Sequence, residues 1–381
     1  MDFRLTEEQQ MLRDMVRKIS DNEFAPRAAE IDRIEDFPWE HKKILEANGL
    51  LGIQVAQEYG GAGAGMLSLA LAVEEVARVC ASTSVILTTQ ALATDPLVIA
   101  GTHEQKMKWL KPMAEGTVLG ACAITEAGAG SDVTNIKTTA TARDGGYVIN
   151  GTKLFITNGG VADTITVVAY TDKSKGHRGI SMLLVDKHTP GFSVGKEEKK
   201  LGIRGSDTRE LLFEDCFVPK EQLLGNPGEG FKTLMKTFNY TRPGVAAQAI
   251  GIAQGALDAV VRHVKERVQF GKPLAEFQGL QWMMAEMALK IEAGRTLVYR
   301  ACATIDNEPG SPDIARLASM AKWFASDAAM QVTTDAVQIF GGYGYSREYA
   351  VERMMRDAKI TQIYEGTNQV QRMIIANQML K

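Results

Sequence analysis

The spacing of hydrophobic residues changes twice along this 381-residue chain, and that double switch limits its fold more tightly than any single motif. From Leu5 to about Gly116 apolar residues recur at helical intervals, broken by Pro26, Pro38 and the glycine-rich run from Gly60 to Gly65. Thr6 with Gln9, and Thr102 with Gln105, read as capping boxes, in which side chains three apart satisfy each other's free backbone N–H groups. From about Val118 to Val218 the runs are β-branched, as in Thr164–Tyr170 and Ile180–Val185. Turn signals such as Asp144-Gly145-Gly146, Asn150-Gly151 and Asn158-Gly159-Gly160 divide them. Strands this closely spaced predict antiparallel pairing, because parallel neighbours need crossovers of about a dozen residues or more. From Gly230 to Leu380 the period is helical again, with long runs at about 232–268, 276–305 and 312–339. The expectation is an α+β chain in three parts: an N-terminal α-helical domain (1–117), a middle antiparallel β-domain (118–229) and a C-terminal four-helix bundle (230–381).

Composition narrows the function. The 43 Lys and Arg against 46 Asp and Glu leave a net charge of −3, with no basic surplus for a phosphate backbone, so nucleic acid is not an expected partner. Cys80, Cys122, Cys216 and Cys302 lie dozens of residues apart, and the five histidines share no metal-ligand spacing. Neither a metal site nor a disulfide framework is expected. No uninterrupted apolar run reaches 18 residues and the chain opens on a capped amphipathic helix, so the expected setting is the cytoplasm rather than a membrane. Met283, Met284 and Met287, like most of the 17 methionines, read as filler on buried helix faces.

Three segments carry chemistry. In Ile124-Thr125-Glu126-Ala127-Gly128-Ala129-Gly130-Ser131-Asp132, glycines and hydroxyls at a strand end let a flat or anionic ligand approach the backbone, although taken alone the segment reads first as an ordinary glycine-rich turn. In Gln338-Ile339-Phe340-Gly341-Gly342-Tyr343-Gly344-Tyr345, a helix stops on glycines beside aromatics, which suits a phosphate or an adenosine as well as an ordinary glycine C-cap. In Ile363-Tyr364-Glu365-Gly366-Thr367-Asn368-Gln369, a Glu sits on an interhelical loop between an aromatic and a glycine. Held half out of water there, its carboxylate would be a stronger base; an ordinary solvated Glu, one of 46 acids, is the alternative and the commoner case.

Taken together and in this order, the segments resemble the signatures of the acyl-CoA dehydrogenase family, and the similarity runs from Leu5 to Leu380. The first signature departs at Asn135, where a small residue is usual; the second, from Gln338 to Asp357, fits throughout. The resemblance implies FAD between the β-domain and the C-terminal helices. Ile124, Thr125, Gly130 and Ser131 would line it, Ser131 also reaching the CoA moiety, with Phe155 and Thr157 on the ring's other side; the family commonly has Trp where Phe155 stands. Arg267, Gln269 and Phe270 resemble a segment that grips FAD from a neighbouring subunit. Gln278, Gln338 and Gly342 match its pyrophosphate and adenosine contacts, and Thr367 and Gln369 join the cofactor set. A homo-oligomer, most simply a tetramer, follows. Asn239 (commonly Asp), Arg242, Tyr364, Gly366 and Leu92 match positions around the acyl-CoA.

Glu365 matches the family's catalytic base. Other members place the base where Thr241 stands, and a threonine cannot serve. The reaction implied is α,β-dehydrogenation of an acyl-CoA: Glu365 takes the α-proton, the β-hydrogen leaves as hydride to the flavin, and electrons pass on to an electron-transfer flavoprotein. The developing enolate oxygen would be held by a flavin ribityl hydroxyl and the Glu365 backbone N–H.

Thr88, Leu92 and Asp95 share one face of the stretch that corresponds to the acyl-tail lining. Asp95-Pro96 also reads as an N-cap with Pro at N1, starting a helix at Leu97, and the residues favour that cap. Otherwise Asp95 is a second base or polar anchor, and the pocket favours a compact, branched or alicyclic acyl group such as cyclohexanecarbonyl-CoA over a long alkyl chain. A medium-chain linear substrate is the alternative. An acyl-CoA oxidase usually has a longer chain, and a decarboxylating glutaryl-CoA-type enzyme needs a cation near the acyl end, where Val79–Leu97 holds no Lys or Arg. A non-catalytic helical binding protein is the rival outside enzymes, and the intact Glu365 loop argues against it.

Overall fold

The computed structural model describes residues 4–380. Helix α1 (Glu7–Ile19) starts on the Thr6–Gln9 capping box and α6 (His103–Gln105) on the Thr102–Gln105 box, so both local signals hold. Between them run α2 (Ala28–Ile34), α3 (Trp39–Ala47), α4 (Gly65–Ala77) and α5 (Ala81–Ala100), and α7 (Lys111–Ala114) follows. Helices α4 and α5 are buried along almost their whole length: α4 is enclosed by α1, α5 and the C-terminal helices Gly230–Glu266 and Gln278–Asn307, and α5 lies between the sheet and Gly230–Glu266.

Helix α5 corrects one expectation. It runs unbroken through Asp95 and Pro96, so Asp95 is a buried mid-helix residue rather than the cap of a new helix at Leu97. Proline here forfeits one backbone hydrogen bond, a loss that packing of the surrounding apolar faces outweighs.

The middle region is a twisted sheet of β1 (Gly120–Ala123), β2 (Thr139–Arg143), β3 (Gly146–Thr157), β4 (Thr164–Tyr170), β5 (Ile180–Asp186), β6 (Phe192–Glu197), β7 (Thr208–Pro219) and β8 (Leu223–Leu224). The order is β6-β7-β3-β2-β4-β5-β8, with β1 also on β4. The sheet is mixed, not purely antiparallel. β1 runs parallel to β4, and Thr139 of β2 pairs parallel with Tyr170. The intervening β2–β3 excursion supplies the crossover that parallel neighbours require, which the close spacing of successive runs conceals.

The C-terminal part holds α8 (Gly230–Glu266), a small hairpin of β9 (Val268–Gln269) and β10 (Lys272–Pro273), α9 (Gln278–Asn307), α10 (Ile314–Phe340), α11 (Ala350–Ile360) and α12 (Asn368–Met379). α8 crosses α4 so closely that a Cβ on Gly251 would meet the Glu74 carbonyl oxygen at 2.2 Å, and one on Gly255 the Arg78 oxygen at 2.0 Å. Met287 is fully buried there, with Met283 and Met284 packed against the same core. α5 and α8 are long and apolar enough to cross a membrane, yet 72% and 83% of their most apolar windows are buried inside the chain, as in core helices.

Candidate active site

Tyr364-Glu365-Gly366-Thr367 forms the turn between α11 and α12, and its backbone is unusual. Glu365 (φ +56°) and Gly366 (φ +89°) are both left-handed, a conformation a non-glycine residue keeps only when its surroundings hold it. Their carbonyls are turned to donors behind the loop: Arg242 Nε (3.2 Å) and Gln371 Nε2 (3.2 Å) to Glu365, Gln371 Nε2 (2.8 Å) and Lys322 Nζ (2.8 Å) to Gly366. Thr367 caps α12 by accepting from Val370 N. The Glu365 carboxylate accepts a hydrogen bond from Thr241 Oγ1 at 2.7 Å. Burial raises its pKa above the usual carboxylate range, and Thr241, Arg242 and Lys322 pull it only part of the way back.

Around this carboxylate the fold gathers several of the residues singled out in sequence. Arg242 is only 4% exposed and also reaches Asn239 Oδ1 at 3.4 Å. The Tyr364 hydroxyl donates to Gln248, which in turn donates to Ser84 Oγ at 3.0 Å, tying the loop to the start of α5. Asp95 lies near enough for the Glu365 charge to act on it. Its own pKa is pushed up to about 7, first by burial, with Gln54 opposing and Glu365 adding to the rise. Asp95 Oδ2 is buried without a hydrogen-bond partner. Leu92 stands one turn before it, half-buried on the same helix.

A second wall is built by β1, β3 and the loop between β1 and β2. Leu154 N donates to Thr125 O (2.8 Å), joining the Ile124–Thr125 and Phe155–Thr157 stretches. Phe155, with φ +57°, leaves 61% of its surface bare, and Gly130 and Ser131 are exposed. Asn135, the departure from the family signature, donates from Nδ2 to Gly128 O at 2.8 Å and so holds this loop.

A third group lies at the α8–α9 turn and the end of α10. The Arg267 guanidinium lies 5.0 Å over the Tyr343 ring, Phe270 is 93% exposed, and Gln269, Gln278, Gln338 and Gly342 are exposed. A Cβ on Gly130 or Gly342 would meet nothing within 4 Å, so both leave room for a close ligand. A bare aromatic face, open glycine backbone and a half-exposed guanidinium fit a dinucleotide with a flat ring.

Four contributors escaped the sequence reading. Lys153 is fully buried, donating to Glu126 Oε1 (2.8 Å) and Ile124 O (2.9 Å); Glu126 also accepts from Lys137 N (2.6 Å) and Thr138 Oγ1 (2.6 Å). This pair pins the Ile124–Thr125 wall from behind. Burial works against the charge on Glu126, but Lys153 and its other donors hold its pKa below the ordinary value. Glu126→Ala is expected to lower stability by about 3–5 kcal/mol by stranding a buried ammonium. Urea unfolding measures it, and an unchanged midpoint would show the pair to be idle. Lys322 and Gln371, behind the Glu365 loop, are the other two; a single Lys on an apolar helix and a Gln on a polar one carry no local signal.

A desolvated carboxylate on a fixed loop, close enough to β1 for its charge to act on Cys122, suits proton abstraction from a ligand held against a wall open to a flat ring. Models of the N-terminal, middle and C-terminal domains of acyl-CoA dehydrogenase match residues 6–117, 121–216 and 228–380. The short-chain-specific acyl-CoA dehydrogenase of Clostridium acetobutylicum is 50% identical over 385 residues, covering 100% of both chains. The cyclohex-1-ene-1-carbonyl-CoA dehydrogenase of Geobacter metallireducens is 50% identical over 377 residues, covering 99% of each. Butyryl-CoA dehydrogenase from Megasphaera elsdenii superposes with a TM-score of 0.97 at 47% identity over 100% of both chains. The chain belongs to the acyl-CoA dehydrogenase family, and its cofactor is FAD.

Proposed function

We propose that this acyl-CoA dehydrogenase oxidises a short, branched or alicyclic acyl-CoA to its 2-enoyl-CoA, with Glu365 as the base and an electron-transfer flavoprotein as acceptor. The observation that carries the substrate reading is the second carboxylate: Asp95 is buried, unpartnered at Oδ2 and within reach of the Glu365 charge. A long alkyl chain beside such a group gains nothing, whereas a compact ring or branch stops short of it or uses it.

An α-hydrogen beside a thioester is a weak acid, so its removal needs a base that is desolvated, aimed and close. Glu365 is held in that state by Thr241 at its carboxylate and by Arg242 and Gln371 at its carbonyl. That leaves its backbone N–H available to a developing enolate oxygen. When bound, FAD supplies the acceptor for the β-hydrogen and its electron pair. Ile124, Thr125, Gly130, Ser131, Phe155 and Thr157 form its ring site, and Asn239, Arg242, Tyr364 and Gly366 hold the thioester end. Arg267, Gln269, Phe270, Gln278, Gln338 and Gly342, with Thr367 and Gln369, complete the cofactor set. The group around Arg267 acts across a subunit boundary in a homotetramer. Exposed Phe270 (93%), Tyr345 (87%) and Val268 (50%) support that, because such apolar surface calls for cover. The three parts, divided near residues 117 and 229, work as one unit around the flavin.

A second reading follows from Asp95. An acyl group already unsaturated, as in the substrate named for the Geobacter relative, has no α-hydrogen for Glu365 to remove. Its acidified hydrogen lies at the γ-carbon, and a carboxyl with a pKa of about 7 close to Glu365 suits its removal, the hydride to FAD leaving from the saturated ring carbon on the other side of the α-carbon.

Anaerobic flavin bleaching by butyryl-, isobutyryl-, octanoyl-, palmitoyl-, cyclohexanecarbonyl- and cyclohex-1-ene-1-carbonyl-CoA tests the assignment. The compact acyl groups should bleach fastest. Fastest bleaching by octanoyl- or palmitoyl-CoA would assign the protein to linear chains instead.

A further inference from the structure

Lys322 sits on α10, fully buried, at the back of the loop that carries Glu365. Its ammonium has two acceptors, the Gly366 carbonyl oxygen at 2.8 Å and Asn368 Oδ1 at 2.9 Å, and both are neutral. The nearby carboxylate, Asp327, spends its oxygens elsewhere, on Trp323 Nε1 (2.8 Å), Gln362 Nε2 (2.6 Å) and Asn368 Nδ2 (2.7 Å). Burying an ammonium against neutral acceptors is costly, and an apolar side chain of the same volume would fill the space better. The position therefore pays off only through what the charge and the tether do to the loop.

We infer that Lys322 is a positioning residue: by holding the Gly366 carbonyl and Asn368 from behind, it fixes the left-handed Glu365–Gly366 pair and so the aim of the Glu365 carboxylate. The inference rests on Glu365 being the base. Three observations support it. Two successive left-handed residues, φ +56° and +89°, need anchors on their carbonyls, and Lys322 is a fully buried one. Asn368 is the first residue of α12, so the same ammonium anchors the loop at both its strained pair and its exit. The charge also reaches the base. Glu365 is faced by Thr241 and Arg242 from α8, Lys322 from α10, Asp95 from α5 and Cys122 from β1; Lys322 in turn faces Glu365, Arg242 and Asp327. Of these, Lys322 and Arg242 are the cations that lower the Glu365 pKa, and burial brings the Lys322 pKa itself down to about 7.

Removing the ammonium should therefore loosen the loop and raise the Glu365 pKa further. The test uses FAD-loaded Lys322→Met, which drops donor and charge, and Lys322→Gln, which keeps an N–H donor without the charge. Both should bind FAD and a 2-enoyl-CoA product as the wild type does. In Lys322→Met, bleaching by butyryl-CoA should slow by about tenfold or more, and the acidic limb of its pH profile should move up by roughly half a unit to one unit. Lys322→Gln should recover much of the rate while keeping the shifted limb. Glu365→Gln is run alongside. If it bleaches normally, Glu365 is not the base and the inference falls with that reading. If it is inert while both Lys322 limbs stay in place, or if neither Lys322 variant retains FAD, Lys322 is a packing residue and only the inference is overturned.

Discussion

Glu365→Gln is expected to yield a yellow, FAD-loaded protein that acyl-CoA no longer bleaches. The carboxamide keeps the shape of the loop and can still meet the Thr241 hydroxyl, which lies 2.7 Å from the carboxylate, so folding and cofactor binding should survive. What disappears is the carboxylate proposed to take the α-proton, and the rate should fall by about 10²- to 10⁴-fold. The wild-type pH profile carries the same signature. Burial raises the Glu365 pKa, and a base must be ionised to act, so bleaching should rise with pH through that elevated value rather than be complete in the ordinary carboxylate range. Thr241→Val, which removes the donor that favours the ionised form, should move the rise to higher pH. Near-normal bleaching by Glu365→Gln would remove Glu365 from the mechanism.

Asp95→Asn should separate substrates. With butyryl-CoA, too short to depend on the far carboxyl, the rate should stay within about threefold of wild type. With cyclohexanecarbonyl-CoA it should fall by about 10- to 100-fold, the range of a lost acid–base or anchoring group. Equal losses on both would take Asp95 out of specificity. The same variant has a stability consequence of definite sign. Asp95 has its pKa raised from 3.8 to about 7 in the fold, so the folded state holds a proton that the unfolded chain releases. The stability this contributes is full below pH 3.8 and is lost as pH rises through about 7. Asparagine, which cannot ionise, should therefore unfold later than wild type at pH 8, by roughly a few kcal/mol, and gain little at pH 4. Thermal melts at the two pH values read this directly, and a gain that is equal at both, or larger at pH 4, would contradict it.

The features legible in sequence are those whose cause is local. Thr6 with Gln9 and Thr102 with Gln105 cap their helices because a hydroxyl and a carboxamide three residues apart need no distant partner. The Glu365 loop was visible for a similar reason: a Glu-Gly pair between two helical runs. Where distant contacts decide, local reading fails. Asp95-Pro96 carries a good N-cap signal, but α5 is buried on nearly every side and continues through it. The parallel β1–β4 pairing joins segments some forty residues apart, which no strand spacing reveals. Lys153, Lys322 and Gln371 look like any other polar residues in sequence; only the fold shows all three fully buried and clamped onto the Ile124–Thr125 wall or the Glu365 loop. The same holds for Thr241, dismissed in sequence as unable to act as a base and found hydrogen-bonded to the Glu365 carboxylate.

The most direct test mixes the purified protein without oxygen with one equivalent of butyryl-CoA or cyclohexanecarbonyl-CoA, and counts 2-enoyl-CoA formed against flavin reduced. Wild-type protein should form one enoyl-CoA for each FAD bleached, and Glu365→Gln none. A flavin that stays oxidised with both thioesters, or one that bleaches without forming enoyl-CoA, would contradict acyl-CoA dehydrogenation at this site.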